Sequence, residues 1–176
     1  MDRLIIRYIL QFVLLVLVQV LLLNNIAFSG ILNPYLYVYF LIILPVDFRP
    51  TLGLIIGFLL GLSIDLFSQT LGMHTIATTF AAFCRPYILM YMAPRDGYNF
   101  TRFPSVRQMG WLWFGTYATL LAALHHFILF FIEMFRMSGF WWTITKSVSS
   151  TMLTVILILL VQLIFVRDTR KTSGYE

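Results

Sequence analysis

The sequence predicts an all-α polytopic membrane bundle of about six transmembrane helices, a single integral membrane domain over 1–176. Three observations lead there. Of the 176 residues, 60% are hydrophobic and 11% charged, with a mean hydropathy of +0.89; soluble domains have roughly 45–50% and about 25%. Apolar runs recur at lengths near the ~20 residues that cross a bilayer core. Finally, the lysines and arginines gather in alternate connections between those runs. The same figures exclude a water-soluble enzyme, a disordered tail and a disulfide-stapled module, the last because Cys84 is the one cysteine.

The first span covers 4–23 and ends at Asn24-Asn25. Its start, with Arg3 and Arg7 flanking apolar residues, looks like a signal peptide. The apolar run continues without a small-x-small cleavage site, so it reads as an uncleaved span. The second segment, 34–45, lies between Asn33-Pro34 and Pro45. Its 11 or so helical residues reach about 16 Å, too short to cross alone, so a kinked element beginning as early as Ile26 is expected. Pro50, a good first-turn residue, opens the third span, 50–67. The fourth covers 74–92 with an interruption at Pro86, the fifth 110–132 and the sixth 142–166. Between the fourth and fifth, Pro94, Gly97 and Pro104 make 93–109 an irregular loop, and 167–176 is a polar tail.

Six crossings place Arg3, Arg7, Arg49, Arg95, Arg102, Arg107, Arg167, Arg170 and Lys171 on one side, and only Arg136 and Lys146 on the other. By the positive-inside rule the richer side is cytoplasmic, which puts both termini, the 93–109 loop and the tail there. Trp111 and Trp113 then fall at the inner interface, and Trp141 and Trp142 at the outer one.

Within the third span, Gly53, Gly57 and Gly61 recur every four residues, drifting only ~40° per step, so they form a flat face for close helix approach. The occupant is another helix of the same bundle or one from a partner. Asp65 continues that spacing and points into the bundle. Asp65 and Arg85 are the charges this layout places within hydrocarbon, where each costs about 2.5–3.5 kcal/mol at a helix centre, so both need partners. An Asp65–Arg85 ion pair is one solution; Arg85 reaching backbone carbonyls or water is another. His125, His126 and Glu133 share the fifth span. His126 and Glu133 are ~10.5 Å apart by helix rise, too far for one metal site, so interhelical hydrogen bonding of the imidazoles is expected. The hydroxyls of Ser147, Ser149, Ser150 and Thr151 lack a nucleophile-elbow context and read as bonded to carbonyls four residues back. Arg95, Arg102 and Arg107 form a basic loop that sets orientation, with attraction to anionic headgroups or an acidic partner as a further role. No catalytic set, metal site or cofactor motif emerges.

The order of motifs resembles a known family. Pro45-Val-Asp-Phe-Arg-Pro-Thr51, the glycines at 53, 57 and 61 with Asp65, and Leu71-Gly72 look like the signature region of the rod shape-determining protein MreD family. Met73-His74, Arg85-Pro86-Tyr87, Ala93-Pro-Arg-Asp-Gly-Tyr98 and His125-His126-Phe127 resemble its Bacteroidetes-type branch, and the likeness runs from about residue 3 to 166. The resemblance implies a non-enzymatic subunit of the cell-elongation machinery in the bacterial inner membrane, without cofactor. It implies a fold similar to the S components of energy-coupling-factor transporters. It also implies an MreC-like bitopic partner and, through it, MreB filaments, the RodA glycosyltransferase and a class B penicillin-binding protein. The alternative is an S-component-like vitamin-binding subunit, whose outward pocket would have to draw on Asn24, Asn25, Asn33, Gln69 and His74.

Overall fold

A computed structural model describes residues 2–25, 32–70, 72–95, 97–98, 103–134 and 139–165. Among them there is no β-strand; the chain is a helical membrane bundle. Helix α1 (Asp2–Leu17) continues into a π-helical turn, Val18–Leu22, and a 3₁₀ turn, Leu23–Asn25. A 3₁₀ turn at Leu36–Val38 leads into the short α2 (Tyr39–Ile43). Then follow α3 (Pro50–Ser68), α4 (Met73–Tyr91), α5 (Val106–Met109), α6 (Trp111–Met134) and α7 (Phe140–Phe165).

The long helices form because their apolar content is continuous and only intrahelical bonding satisfies backbone groups in lipid. Four stretches are long and apolar enough to cross a membrane: Ile5–Asn25, Pro50–Ser68, Trp111–Met134 and Phe140–Ile164. Large apolar side chains such as Leu10, Leu66, Met90, Leu112 and Ile164 stand on the outer surface, which suits lipid and not water. Helix α4 packs between α3 and α6, and α7 packs on α6.

Pro50 sits in the first turn of α3, and Gln69 closes that helix in the left-handed region at φ 54°. Gly72, at φ 80°, turns the chain into α4. The expected interruption at Pro86 does not occur, since α4 is one helix from Met73 to Tyr91. The buried Ala81 and Ala82 seat that part of α4 in the bundle, and packed neighbours hold a proline-containing membrane helix in shape. The described residues of the 93–109 loop hold more regular structure than expected. Ser105 Oγ accepts from Gln108 N at 3.3 Å and caps α5. Tyr98 Oη donates to the Leu89 carbonyl at 2.7 Å, and burial pushes this phenol up to about 12, so its proton stays on.

The second segment departs most from expectation. Its helix is confined to 36–43, and 26–31 lie outside the described residues. From Leu36 to Ile42 no residue is more than 8% exposed. At about 13 Å it is a core plug, not a lipid-facing span. It runs antiparallel beside α1: Gln19 Nε2 donates to the Pro34 carbonyl at 3.0 Å, and Tyr8 and Phe12 meet Phe40 edge-on at 6.3 and 5.5 Å. An element apolar on every side belongs inside.

Candidate functional site

The polar side chains inside the bundle form three groups, at the Asp65 end, the middle and the Arg49 end. At the first, Asp65 is the N-terminal cap of α4, supplied from the preceding helix. Its Oδ1 accepts from the Thr70 hydroxyl and from His74 N at 3.1 Å; Oδ2 accepts from Thr75 N at 2.8 Å and Thr75 Oγ1 at 2.6 Å. His74 and Thr75 carry two of the amides left unsatisfied in a helix's first turn, and a carboxylate there also meets the positive end of the helix dipole. Gly61 permits this closeness. A Cβ on it would lie 2.5 Å from Thr75 Cα and 2.6 Å from the His74 carbonyl oxygen. Gly57 makes the same approach one turn on, where a Cβ would stand 2.7 Å from Ala82 Cβ. Gly53 differs, with Phe48 Cδ1 at 4.0 Å as its nearest neighbour. The stripe therefore serves packing within the chain at two positions and leaves the third open.

In the middle, Tyr37 joins α4 to α6. Its hydroxyl lies 2.9 Å from His74 Nδ1 and 2.7 Å from His125 Nε2. One hydroxyl proton cannot serve two acceptors, so one imidazole must donate. His125 Nδ1 is buried without a partner, and an orphaned lone pair is more tolerable than an orphaned N–H. The consistent arrangement is His125 Nε2–H to Tyr37 Oη, and Tyr37 O–H to His74 Nδ1. His126 bonds the Ala122 carbonyl at 2.7 Å through Nδ1 and Thr154 Oγ1 at 3.2 Å through Nε2. Thr154 Oγ1 in turn accepts from Tyr35 N at 3.0 Å, and Asn33 N donates to Ser150 Oγ at 3.0 Å. The Tyr35 ring covers this cluster, 5.0 Å from His74 and 5.4 Å from His126. Above it, Lys146 pairs with Glu133 at 2.8 Å and lies 4.6 Å from the Phe130 ring centre. Glu133 is thus held by Lys146.

At the Arg49 end, Arg85 does not meet Asp65. The two cap different chain ends. Arg85 Nε donates to the Leu41 carbonyl at 2.9 Å, and Nη2 donates to those of Leu44 and Pro45, the latter at 3.0 Å. These carbonyls lose helical partners because Pro45 ends the core plug, and a planar guanidinium reaches all three at once. Backbone carbonyls are therefore the solution the sequence used.

Two further buried amides, Gln19 and Gln162, carry a signal in their isolation among apolar residues. Gln19 is the one amide in the apolar run 12–23, on the side of the first span shared by Tyr8 and Phe12. It bonds Pro34 and, at 2.9 Å, Asn24 Oδ1, while Asn24 Nδ2 donates to Ser68 Oγ at 2.9 Å. Gln162 likewise donates to Tyr39 Oη at 2.8 Å and accepts from Val106 N at 3.3 Å. In the hydroxyl run on α7, Thr151 bonds the Ser147 carbonyl at 2.7 Å and Ser149 that of Thr145 at 2.6 Å, four residues back as expected, whereas Ser147 Oγ departs from the expectation and is buried without a partner. Arg95 and Arg107 are exposed, and Arg102 lies outside the described residues, as do Arg136 and the tail from 166.

Chemically these groups hold chain ends and helices in register. Among the described residues no three His, Cys, Asp or Glu side chains are placed to share a metal ion. Fold and interior together define a helical integral membrane protein whose buried polar groups bond mainly to its own backbone and to each other. No family model, no curated protein and no solved structure matches the chain.

Proposed function

We propose that this chain is a non-enzymatic scaffold of the bacterial cell-elongation machinery, an MreD-type subunit that binds an MreC-like bitopic protein within the cytoplasmic membrane. The observation that carries the reading is the bare face of α1. Only 17% of its apolar window is buried, against 33% for α3 and α7 and 44% for α6. Ile6, Leu10, Val13, Leu17 and Leu21 repeat along one side, all exposed, while Tyr8, Phe12, Leu15 and Gln19 face the bundle. The glycine face at Gly57 and Gly61 is taken up internally, so a partner's single helix has α1 as its broadest free apolar surface.

The family order of motifs and the charge layout support the same reading. α1 and α3 run parallel, since Asn24 touches Ser68, so the chain between them must return across the bundle. With 26–49 counted as a traverse there are six, and both termini lie in the cytoplasm with most of the arginines. MreB filaments, RodA and a class B penicillin-binding protein then join through the bitopic partner.

Co-purification in mild detergent tests the proposal. The MreC-like protein should be recovered with the wild type. Leu10→Trp together with Leu17→Trp should reduce recovery at least severalfold while leaving the bundle folded. Absence of the partner under several mild detergents, with both proteins folded, sinks the assignment.

A further inference from the structure

Beside the capping arrangement of Arg85, a crevice opens between the start of α3, the 46–49 turn and the middle of α4. Arg49, Gly53, Ala82, Arg85 and Pro86 line it, with Phe48 at one wall. It holds about 20 Å³, room for one oxygen-sized group. Three features give it a sign. Arg85 is 95% buried, with Nε and Nη2 both committed to backbone carbonyls. Among the described residues no carboxylate pairs with Arg85, and the ion pair there is Lys146–Glu133, at the other end of the bundle. Arg49 is exposed at the rim as the residue that caps the start of α3, a helix with no acidic residue in its first turn and no side-chain cap. Arg7 and Asp47 both act on the nearby Tyr8, so the surroundings carry one acidic group against three arginines.

We propose that this crevice binds the phosphate of an anionic phospholipid headgroup. A phosphate oxygen entering it meets the Arg85 guanidinium, while the Arg49 guanidinium closes on the outer oxygens. Guanidinium groups recognise phosphate through such paired donors. The helices forming the crevice expose Leu52 and Tyr87 next to it, an apolar surface along which acyl chains lie. Free phosphate offers the same oxygens without that apolar continuation. Gly53 has a defined part: its bare Cα keeps the crevice open, which accounts for a third glycine in a stripe where only two touch α4. The site stands apart from the α1 face and does not depend on the scaffold reading.

The test uses the full chain in neutral detergent, with lipid binding read by native mass spectrometry and by melting temperature. Phosphatidylglycerol, phosphatidylcholine and inorganic phosphate are added separately. The expected result is that phosphatidylglycerol binds and raises the melting temperature, and that the other two do so much less. Arg49→Gln should weaken phosphatidylglycerol binding about fivefold, the effect of one basic residue at an anionic membrane surface. Gly53→Leu, whose branched side chain would fill the crevice, should abolish it; Gly53→Ala, whose Cβ meets nothing nearer than Phe48 Cδ1 at 4.0 Å, should weaken it with the melting temperature of the lipid-free protein retained. Gln108→Ala, at an exposed polar residue on α5, serves as the control and should leave lipid binding unchanged. Equal binding of phosphatidylcholine, equal protection by inorganic phosphate, or undiminished lipid binding in both Arg49→Gln and Gly53→Leu overturns the proposal.

Discussion

Alanine placed at each stripe glycine asks one question of three sites on one helix. At Gly61 the new Cβ would stand 2.5 Å from Thr75 Cα and 2.8 Å from the His74 carbonyl carbon, all backbone. Ordinary contact begins at 3.4 Å, so α3 and α4 must part locally by about 0.9 Å. That shift draws His74 N and Thr75 N away from the Asp65 carboxylate, whose bonds are already 3.1 and 2.8 Å. Overpacking costs about 1–3 kcal/mol, and loosening a cap about 1 more, so Gly61→Ala should lose about 2–4 kcal/mol. Gly57→Ala meets the Ala82 methyl at 2.7 Å and the Thr78 carbonyl at 3.1 Å, and should lose about 1–3 kcal/mol. Gly53→Ala meets nothing nearer than 4.0 Å and should be neutral or up to about 1 kcal/mol more stable, because alanine is the better helix former. Reversible unfolding in mixed micelles of dodecylmaltoside and sodium dodecyl sulfate measures all three. Equal losses at Gly53 and Gly61, or wild-type stability at Gly61, would refute the packing argument.

Other outcomes follow from the same contacts. Asp65→Asn keeps the shape but sets an amide NH₂ against two of the four donors; it should cost about 2 kcal/mol, and hydrogen exchange at the amide that loses its acceptor, His74 or Thr75, should quicken at least tenfold. Unchanged exchange would remove Asp65 from the capping role. Tyr37→Phe strands His74 Nδ1 and His125 Nε2 and should cost about 1–3 kcal/mol, whereas Tyr117→Phe, which deletes a buried hydroxyl without a hydrogen-bond partner, should be neutral or stabilising. The reverse ranking would mean that the network is drawn wrongly. In a Cys84→Ala background, Asn25→Cys and Arg49→Cys should react with a membrane-impermeant maleimide from opposite sides of a vesicle. Labelling of both from one side would show that the chain between them does not cross.

The long elements were legible because helix limits are local properties. The Pro50 start, the turn after Ser68 and the apolar stretches of α6 and α7 can be read within a few residues of their observed ends. The partners of the polar residues could not be read, since each depends on which segments become neighbours. Arg85 bonds a carbonyl 44 positions back, and Gln162 bonds a tyrosine 123 positions back. Asp65 and Arg85 were recognisable as needing partners, but an ion pair between them and backbone groups for Arg85 stood as equal alternatives, and only the neighbouring chain ends decide between them. The core plug escaped for a related reason. Its apolar composition suits lipid and a protein interior equally, and only the helices around it decide.

That plug also constrains how the protein is made. When residues 36–45 leave the ribosome, the guanidinium that will satisfy Leu41, Leu44 and Pro45 is still about forty residues from being synthesised, and Thr154 and Gln162 come more than a hundred residues later. Until then the segment has no tertiary donors for its freed carbonyls and is too short to insert as an independent span. Biogenesis therefore cannot proceed strictly helix by helix. The plug must wait at the membrane surface or beside the insertion machinery, and enter once α4 to α7 have assembled a protein-lined place for it.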